Sequence, residues 1–136
     1  MKYLLDTNIC IGIINDRPEK VRLNAASALA RSASFATSSI VVYELWYGVA
    51  KSQQVDRNAR ALQGFLSRDI EVLEFTEQDA RAAGEIRAQL ERNGGRIGEY
   101  DTLIAGQAFS RNLVLVTANT REFERVKGLI VENWTA

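Results

Sequence analysis

Three carboxylates in this chain lie where carboxylates are costly. Asp6 ends the apolar run Tyr3-Leu4-Leu5, Glu44 lies within Ile40-Val41-Val42-Tyr43-Glu44-Leu45-Trp46-Tyr47-Gly48, and Asp101 opens Tyr100-Asp101-Thr102-Leu103-Ile104-Ala105-Gly106. A lone carboxylate buried in such company loses its hydration or takes up a proton. Three of them imply a shared counter-ion. Taken singly, Asp6 and Asp101 are read equally well as helix caps, and Glu44 as the partner of an arginine. Glu44, however, is mid-helix and has no capping role. The other acids, Asp79 among them, fall in polar stretches or at helix starts and read as solvated faces or caps.

What the chain lacks narrows the chemistry. There is no histidine, and Cys10 is the single cysteine. Ser–His–Asp and Cys–His catalysis, imidazole-bound zinc, disulfides and thiolate clusters are thereby excluded. Hydrolysis must come from carboxylates, amides and hydroxyls, and an all-oxygen donor set points to Mg2+ or Mn2+. The formal charge is zero, with 17 basic and 17 acidic residues. That balance argues mildly against a nucleic-acid binder, unless acids gather at a metal site and cations rim it. Lys51, Arg57, Arg92, Arg96, Arg111 and Arg121 are candidates for that rim. No apolar run is long enough to span a bilayer and no leader is evident, so a cytoplasmic, non-membrane protein is expected.

The elements that must position these acids alternate between strand and helix. At 136 residues one domain over 1–136 is expected. Tyr3–Leu5, Ser34–Thr37, Ile70–Leu73, Leu113–Val116 and Leu129–Val131 read as strands. Between them lie helices over Ile9–Ile14, from Pro18 to about Ala30, from Ser38 or Ser39 through Gly48, and over Val55–Ser67. A capping box at Thr76-Glu77-Gln78-Asp79 opens the next, running to Arg92 and stopped by Gly94-Gly95. Helices over Tyr100–Ser110 and Arg121–Arg125 follow. The order predicts an α/β fold with a mainly parallel sheet of about five strands. Ligands of such sheets bind beyond the carboxyl ends of the strands, where Asp6 and the Glu44 helix fall. If Leu113–Val116 neighbours the first strand, Thr117, Asn119 and Glu122 reach the same edge; Asn119 is read equally well as a turn or N-cap residue.

In order, these residues resemble a known family. Leu5-Asp6-Thr7-Asn8-Ile9 is similar to the first acidic motif of PIN-domain nucleases, and Tyr43-Glu44-Leu45-Trp46-Tyr47-Gly48 to the second. Ile97-Gly98-Glu99-Tyr100-Asp101-Thr102 resembles the third, and Thr117-Ala118-Asn119-Thr120-Arg121-Glu122-Phe123 the fourth. The ending Val131-Glu132-Asn133-Trp134 resembles VapC-type toxins of VapBC toxin–antitoxin systems. The resemblance implies a three-layer α/β/α sandwich and a Mg2+- or Mn2+-dependent endoribonuclease. It carries over Asp6, Glu44 and Asp101 as metal ligands, with Asn119 completing the catalytic set where many relatives have aspartate. It also implies a VapB-type antitoxin partner, a homodimer, a hetero-oligomer with the antitoxin, and a tRNA or rRNA substrate. Cleavage by activated water would leave a 5′-phosphate and a 3′-hydroxyl. Thr7 and Thr117 are expected to orient the carboxylates.

Two other readings compete. A non-catalytic PIN-like binding module would use the acids only for docking. A haloacid-dehalogenase-like phosphohydrolase would need a second aspartate where this chain has Asn8. The aromatic group Tyr43, Trp46 and Tyr47 beside Glu44 is either core packing, an antitoxin groove or a dimer contact.

Overall fold

Leu4, Leu5, Leu115 and Val116 are wholly or almost wholly buried, as the continuous apolar runs around them require of strands covered on both faces. In the computed structural model, which describes residues 1–136, five strands form one parallel sheet: β1 (Lys2–Leu5), β2 (Ser34–Ser38), β3 (Ile70–Leu73), β4 (Val114–Val116) and β5 (Val131–Glu132). Their order across the sheet is β3-β2-β1-β4-β5. The central strand β1 pairs on one side with β2, Leu5 opposite Thr37, and on the other with β4, Leu5 opposite Val116. The chain therefore winds outward from β1 in one direction, then returns and winds in the other. The crevice between β1 and β4 is the topological switch point.

Seven helices connect the strands: α1 (Thr7–Asn15), α2 (Glu19–Ala30), α3 (Ser39–Ala50), α4 (Val55–Leu66), α5 (Glu77–Arg92), α6 (Glu99–Ser110) and α7 (Thr120–Phe123). Right-handed crossovers place α1–α4 over one face and α5–α7 over the other. Packing agrees, since α1 touches α2, α3 and α4, and α5 lies along α6. The expected three-layer α/β/α sandwich is present, with its core running from Ile9, Val41 and Leu62 through the sheet to Ile86, Ile104 and Phe123.

Several details differ from expectation, among them the last strand, which is Val131–Glu132 rather than Leu129–Val131, and the last helix, which is Thr120–Phe123 rather than Arg121–Arg125. Pro18 is the N-cap of α2 rather than a residue of its first turn. In β3 only Leu73 is fully buried; Val72 is 41% exposed, because β3 is an edge strand. Glu71 faces outward as expected and pairs there with Lys2. Asp79 is the largest departure. It closes the expected capping box with Thr76, but it is 1% exposed, not a solvated cap. Its carboxylate accepts from the Arg111 guanidinium at 2.9 and 3.2 Å, from the Ser110 hydroxyl, and from the Thr76 backbone at 2.9 Å. Arg111 is thus committed to a structural ion pair and does not belong to the rim of cations. Burial works to raise the Asp79 pKa, but the bonds from Arg111, Ser110 and Thr76 outweigh it and hold the group well below the usual carboxylate range.

The placement of α6 depends on Gly106. A Cβ there would lie 2.6 Å from the backbone N, Cα and Cβ of Ala83, so only glycine lets α6 lie this close to α5.

Candidate active site

Each candidate residue reaches the carboxyl edge of the sheet by a different route. Asp6 leaves β1 directly, with its backbone N–H donating to Val116 O at 3.1 Å, and its carboxylate caps α1 by accepting from Ile9 N at 3.0 Å. The capping reading and the site reading of Asp6 therefore hold together. Ser38 is both the last residue of β2 and the N-cap of α3, so the first turns of α3 lie at the same edge and carry Glu44 there. Thr7 donates to Glu44 Oε1 at 2.7 Å, tying the start of α1 to α3. Helix α6 leads into β4 and runs antiparallel to it, which puts its first turn, with Asp101, at that edge too. Asp101 does not cap its helix. The N-cap is Gly98, and a Cβ at Gly98 would stand 3.3 Å from Asp101 Oδ2.

The fourth segment follows β4. Thr117 is fully buried, and its Oγ1 accepts from Asn119 N at 3.0 Å. Asn119 is the N-cap of α7 by position, yet its side chain makes no cap; Nδ2 donates to Glu122 Oε2 at 2.9 Å. Asn119 and Glu122 therefore present themselves as a pair.

Electrostatics shows that these acids share one field. Asp6, 8% exposed, has its pKa raised first by burial and also by the charge of Glu44, against the lowering effect of hydrogen bonds from Thr117, Ile9 and Asn8. Asp101 is raised to about 6, first by burial, then by the charges of Glu122, Asp6 and Glu44. No ion pair of the molecule involves any of the four acids. Mutual repulsion with no cationic side chain among them is the property expected of groups that share a divalent ion. The donors are all hard oxygens, which suits such an ion. As they stand, no three acidic side chains are drawn tightly enough together to enclose one, so joint coordination requires them to turn inward.

Three neighbours of the acids complete the description. An apolar groove of about 260 Å³ opens beside Glu44, lined by Ile11, Ile14, Leu45, Val49, Ala61 and Leu62 of α1, α3 and α4. Trp46 packs against the core, whereas Tyr43 and Tyr47 are 56% and 58% exposed; the aromatic group thus divides between core and surface. Cys10 is fully buried with its thiol pushed up to about 12 by burial, which removes it as a nucleophile.

The comparisons with known proteins bear on the family and the fold. The family model described as PIN domain matches residues 3–129. The tRNA(fMet)-specific endonuclease VapC of Shigella flexneri is 45% identical over 139 residues, covering 99% of both chains. The protein of the same name from Salmonella typhimurium is 46% identical over 134 residues, covering 98% of both. Among solved structures, the chain is similar to VapBC2 from Rickettsia felis bound to a DNA fragment from its promoter. There the TM-score is 0.89 and the identity 42%, covering 98% of this chain and 99% of that one. Match in sequence, fold and length together leads to one conclusion: the chain belongs to the PIN-domain family and, within it, to the VapC group.

Proposed function

We propose that this chain is the toxin of a VapBC-type toxin–antitoxin pair, a cytoplasmic endoribonuclease that depends on Mg2+ or Mn2+ and acts on structured RNA. A tRNA is the favoured substrate, by analogy with the relatives named for tRNA(fMet). The whole of residues 1–136 serves as one nuclease domain in this reading. The observation that carries it is the approach of Asp6, Glu44 and Asp101 to one sheet edge, where burial and then neighbouring acids raise the pKa of Asp101 and of Asp6, and where none of the three enters an ion pair.

Asp6, Glu44 and Asp101 would hold the divalent ion, with the Asn119–Glu122 pair beside them at the same edge. A bound ion supplies charge neutralisation and Lewis acidity toward a phosphodiester. The protein's own part is orientation. Thr7 fixes Glu44 through Oε1 and leaves the second oxygen available, while Ile9 N fixes one oxygen of Asp6. Thr117 lies against Asp6, and its Oγ1 accepts from the backbone of Asn119 at 3.0 Å. The antitoxin docks in the aliphatic groove beside Glu44, so that a cationic side chain from it reaches the acids and blocks them. The toxin acts as a homodimer and assembles with antitoxin into a larger hetero-oligomer.

The test is cleavage of a tRNA pool by purified protein in Mg2+, in Mn2+ and in EDTA, beside Asp6→Ala and Asp101→Asn. Expected are metal-dependent products with 5′-phosphate ends and loss of cleavage in both variants. A 2′,3′-cyclic phosphate, or equal growth arrest on expressing all three proteins, would overturn the mechanism. Intact RNA in both metals, with harmless expression of the wild type, would favour the non-catalytic binding module.

A further inference from the structure

Tyr43 and Tyr100 precede Glu44 and Asp101 by one residue each, on helices from opposite faces of the sheet, and yet they touch. Their hydroxyls are 3.3 Å apart, and their ring centroids 5.7 Å apart at an interplanar angle of 54°. Aromatic residues that serve packing are normally covered; these two keep 56% and 45% of their surface in solvent. One turn further along α3, Tyr47 is also exposed, and the Lys51 ammonium lies 4.8 Å from its ring centroid. Tyr43, Tyr47 and Lys51 are spaced four residues apart, a step of about 6 Å along one helix stripe. Lys51 has no carboxylate partner. The row begins beside Glu44 and ends at the C-cap of α3.

We propose that this row is a track for unpaired nucleotides flanking the phosphodiester to be cleaved. The Tyr43–Tyr100 pair stacks one base, Tyr47 stacks the next, and Lys51 neutralises the phosphate between or beyond them. The inference rests on the nuclease reading of the same site and names the side chains that seat the bases beside it. Two observations favour RNA over a protein partner. The surface on the other flank of Glu44 is the aliphatic groove, which contains no aromatic ring and suits the apolar side chains of a partner helix. The tyrosine row instead combines exposed rings, hydroxyls and an ammonium that no carboxylate neutralises. That is the composition by which single strands are held, through stacking that tolerates any base together with cations along the backbone. Continuity with the acids gives the second argument, since the Tyr43–Tyr100 contact bridges α3 and α6, the two helices that carry Glu44 and Asp101.

The experiment is a mutant cycle between ring and base, read by binding so that it does not depend on turnover. In the Asp6→Ala background, a stem–loop RNA carries 2-aminopurine at each loop position in turn, and a matching set carries an abasic site there. At the position seated on the rings, fluorescence should be quenched and removal of the base should weaken binding about tenfold, the scale of one lost stack. Tyr43→Ala and Tyr100→Ala should weaken the intact RNA by a similar factor and the abasic RNA hardly at all. Tyr43→Phe and Tyr100→Phe, which keep the ring, should retain the coupling. A merely structural role predicts equal weakening of intact and abasic RNA, which would overturn the proposal. So would a change of oligomeric mass in the alanine variants with RNA binding intact, which would mark the row as a contact between proteins. The two readings fail separately: coupling without metal-dependent cleavage by the wild type removes the nuclease, and cleavage without coupling removes the track.

Discussion

Replacing Gly106 by alanine tests whether helix spacing sets the geometry of the site. The new Cβ would lie 2.6 Å from three atoms of Ala83, two of them backbone, and no rotamer change can relieve that. To reach ordinary contact, α6 must move away from α5 by roughly 1 Å. Overpacking of this kind costs about 2 kcal/mol and, for a chain of this size, lowers Tm by roughly 6–10 °C. Asp101 lies on the same rigid helix, five residues upstream. Displacement of a reacting group by that distance costs on the order of a hundredfold in rate. Thermal unfolding followed by circular dichroism measures the first effect, and RNA cleavage well below the transition the second. Ala83→Gly in the Gly106→Ala background should recover part of both, since it removes one of the three clashes. Gly84→Ala is the control: nothing lies within 4 Å of its Cβ, so it should stabilise the chain by up to about 1 kcal/mol through helix propensity. An unchanged Tm and rate in Gly106→Ala would refute the argument, because α5 and α6 would then separate freely and something else would fix Asp101.

Removing a repelled acid should stabilise the protein that it disables. Folding raises the Asp101 pKa to about 6, so wild-type stability should fall as pH rises from about 4 to 6 and stay penalised above that. Asp101→Asn should therefore be more stable than wild type at pH 7 by about 1–2 kcal/mol in EDTA, and Mg2+ should raise the Tm of the wild type alone. Arg111→Ala leaves the buried Asp79 carboxylate unpaired and should cost about 3–5 kcal/mol in urea unfolding. Because the Asp79 pKa is lowered in the fold, its contribution is present above the ordinary carboxylate range and is lost as the solution is acidified; that acid-sensitive share should be missing in Arg111→Ala. Cys10, fully buried with a strongly raised pKa, should react with a thiol reagent only at the rate of unfolding; prompt labelling of the native protein would contradict the packing around it.

Much of this site was readable from residue type and spacing, and the misses have a common cause. Glu44 stood out because mid-helix burial of an acid has no local explanation, and Asp6 because it ends a buried strand. The order of the strands was left open by the sequence, and it is the pairing of β4 with β1 in the structure that brings the Thr117–Glu122 segment beside Asp6. Asp79 was misread because a complete local explanation, the capping box, was already available; its burial depends on Arg111, 32 residues away. Gly106 looks like any helix glycine until α5 is laid against it. The Tyr43–Tyr100 contact and the Asn119–Glu122 bond are likewise invisible to periodicity, the first because it joins two helices 57 residues apart, the second because an N-cap position hides the side chain's real partner. Local patterns reveal which residues are out of place; only tertiary packing reveals what they meet.

The pairing of Leu5 with Val116 across the centre of the sheet also has a temporal meaning. More than a hundred residues separate Asp6 from β4, the strand that lies beside β1, so Asp6 is synthesised long before its edge of the sheet can close. A fragment that stops before β4 lacks both that strand and the Thr117–Glu122 segment, so it cannot assemble the edge to which Asp6, Glu44 and Asp101 are carried.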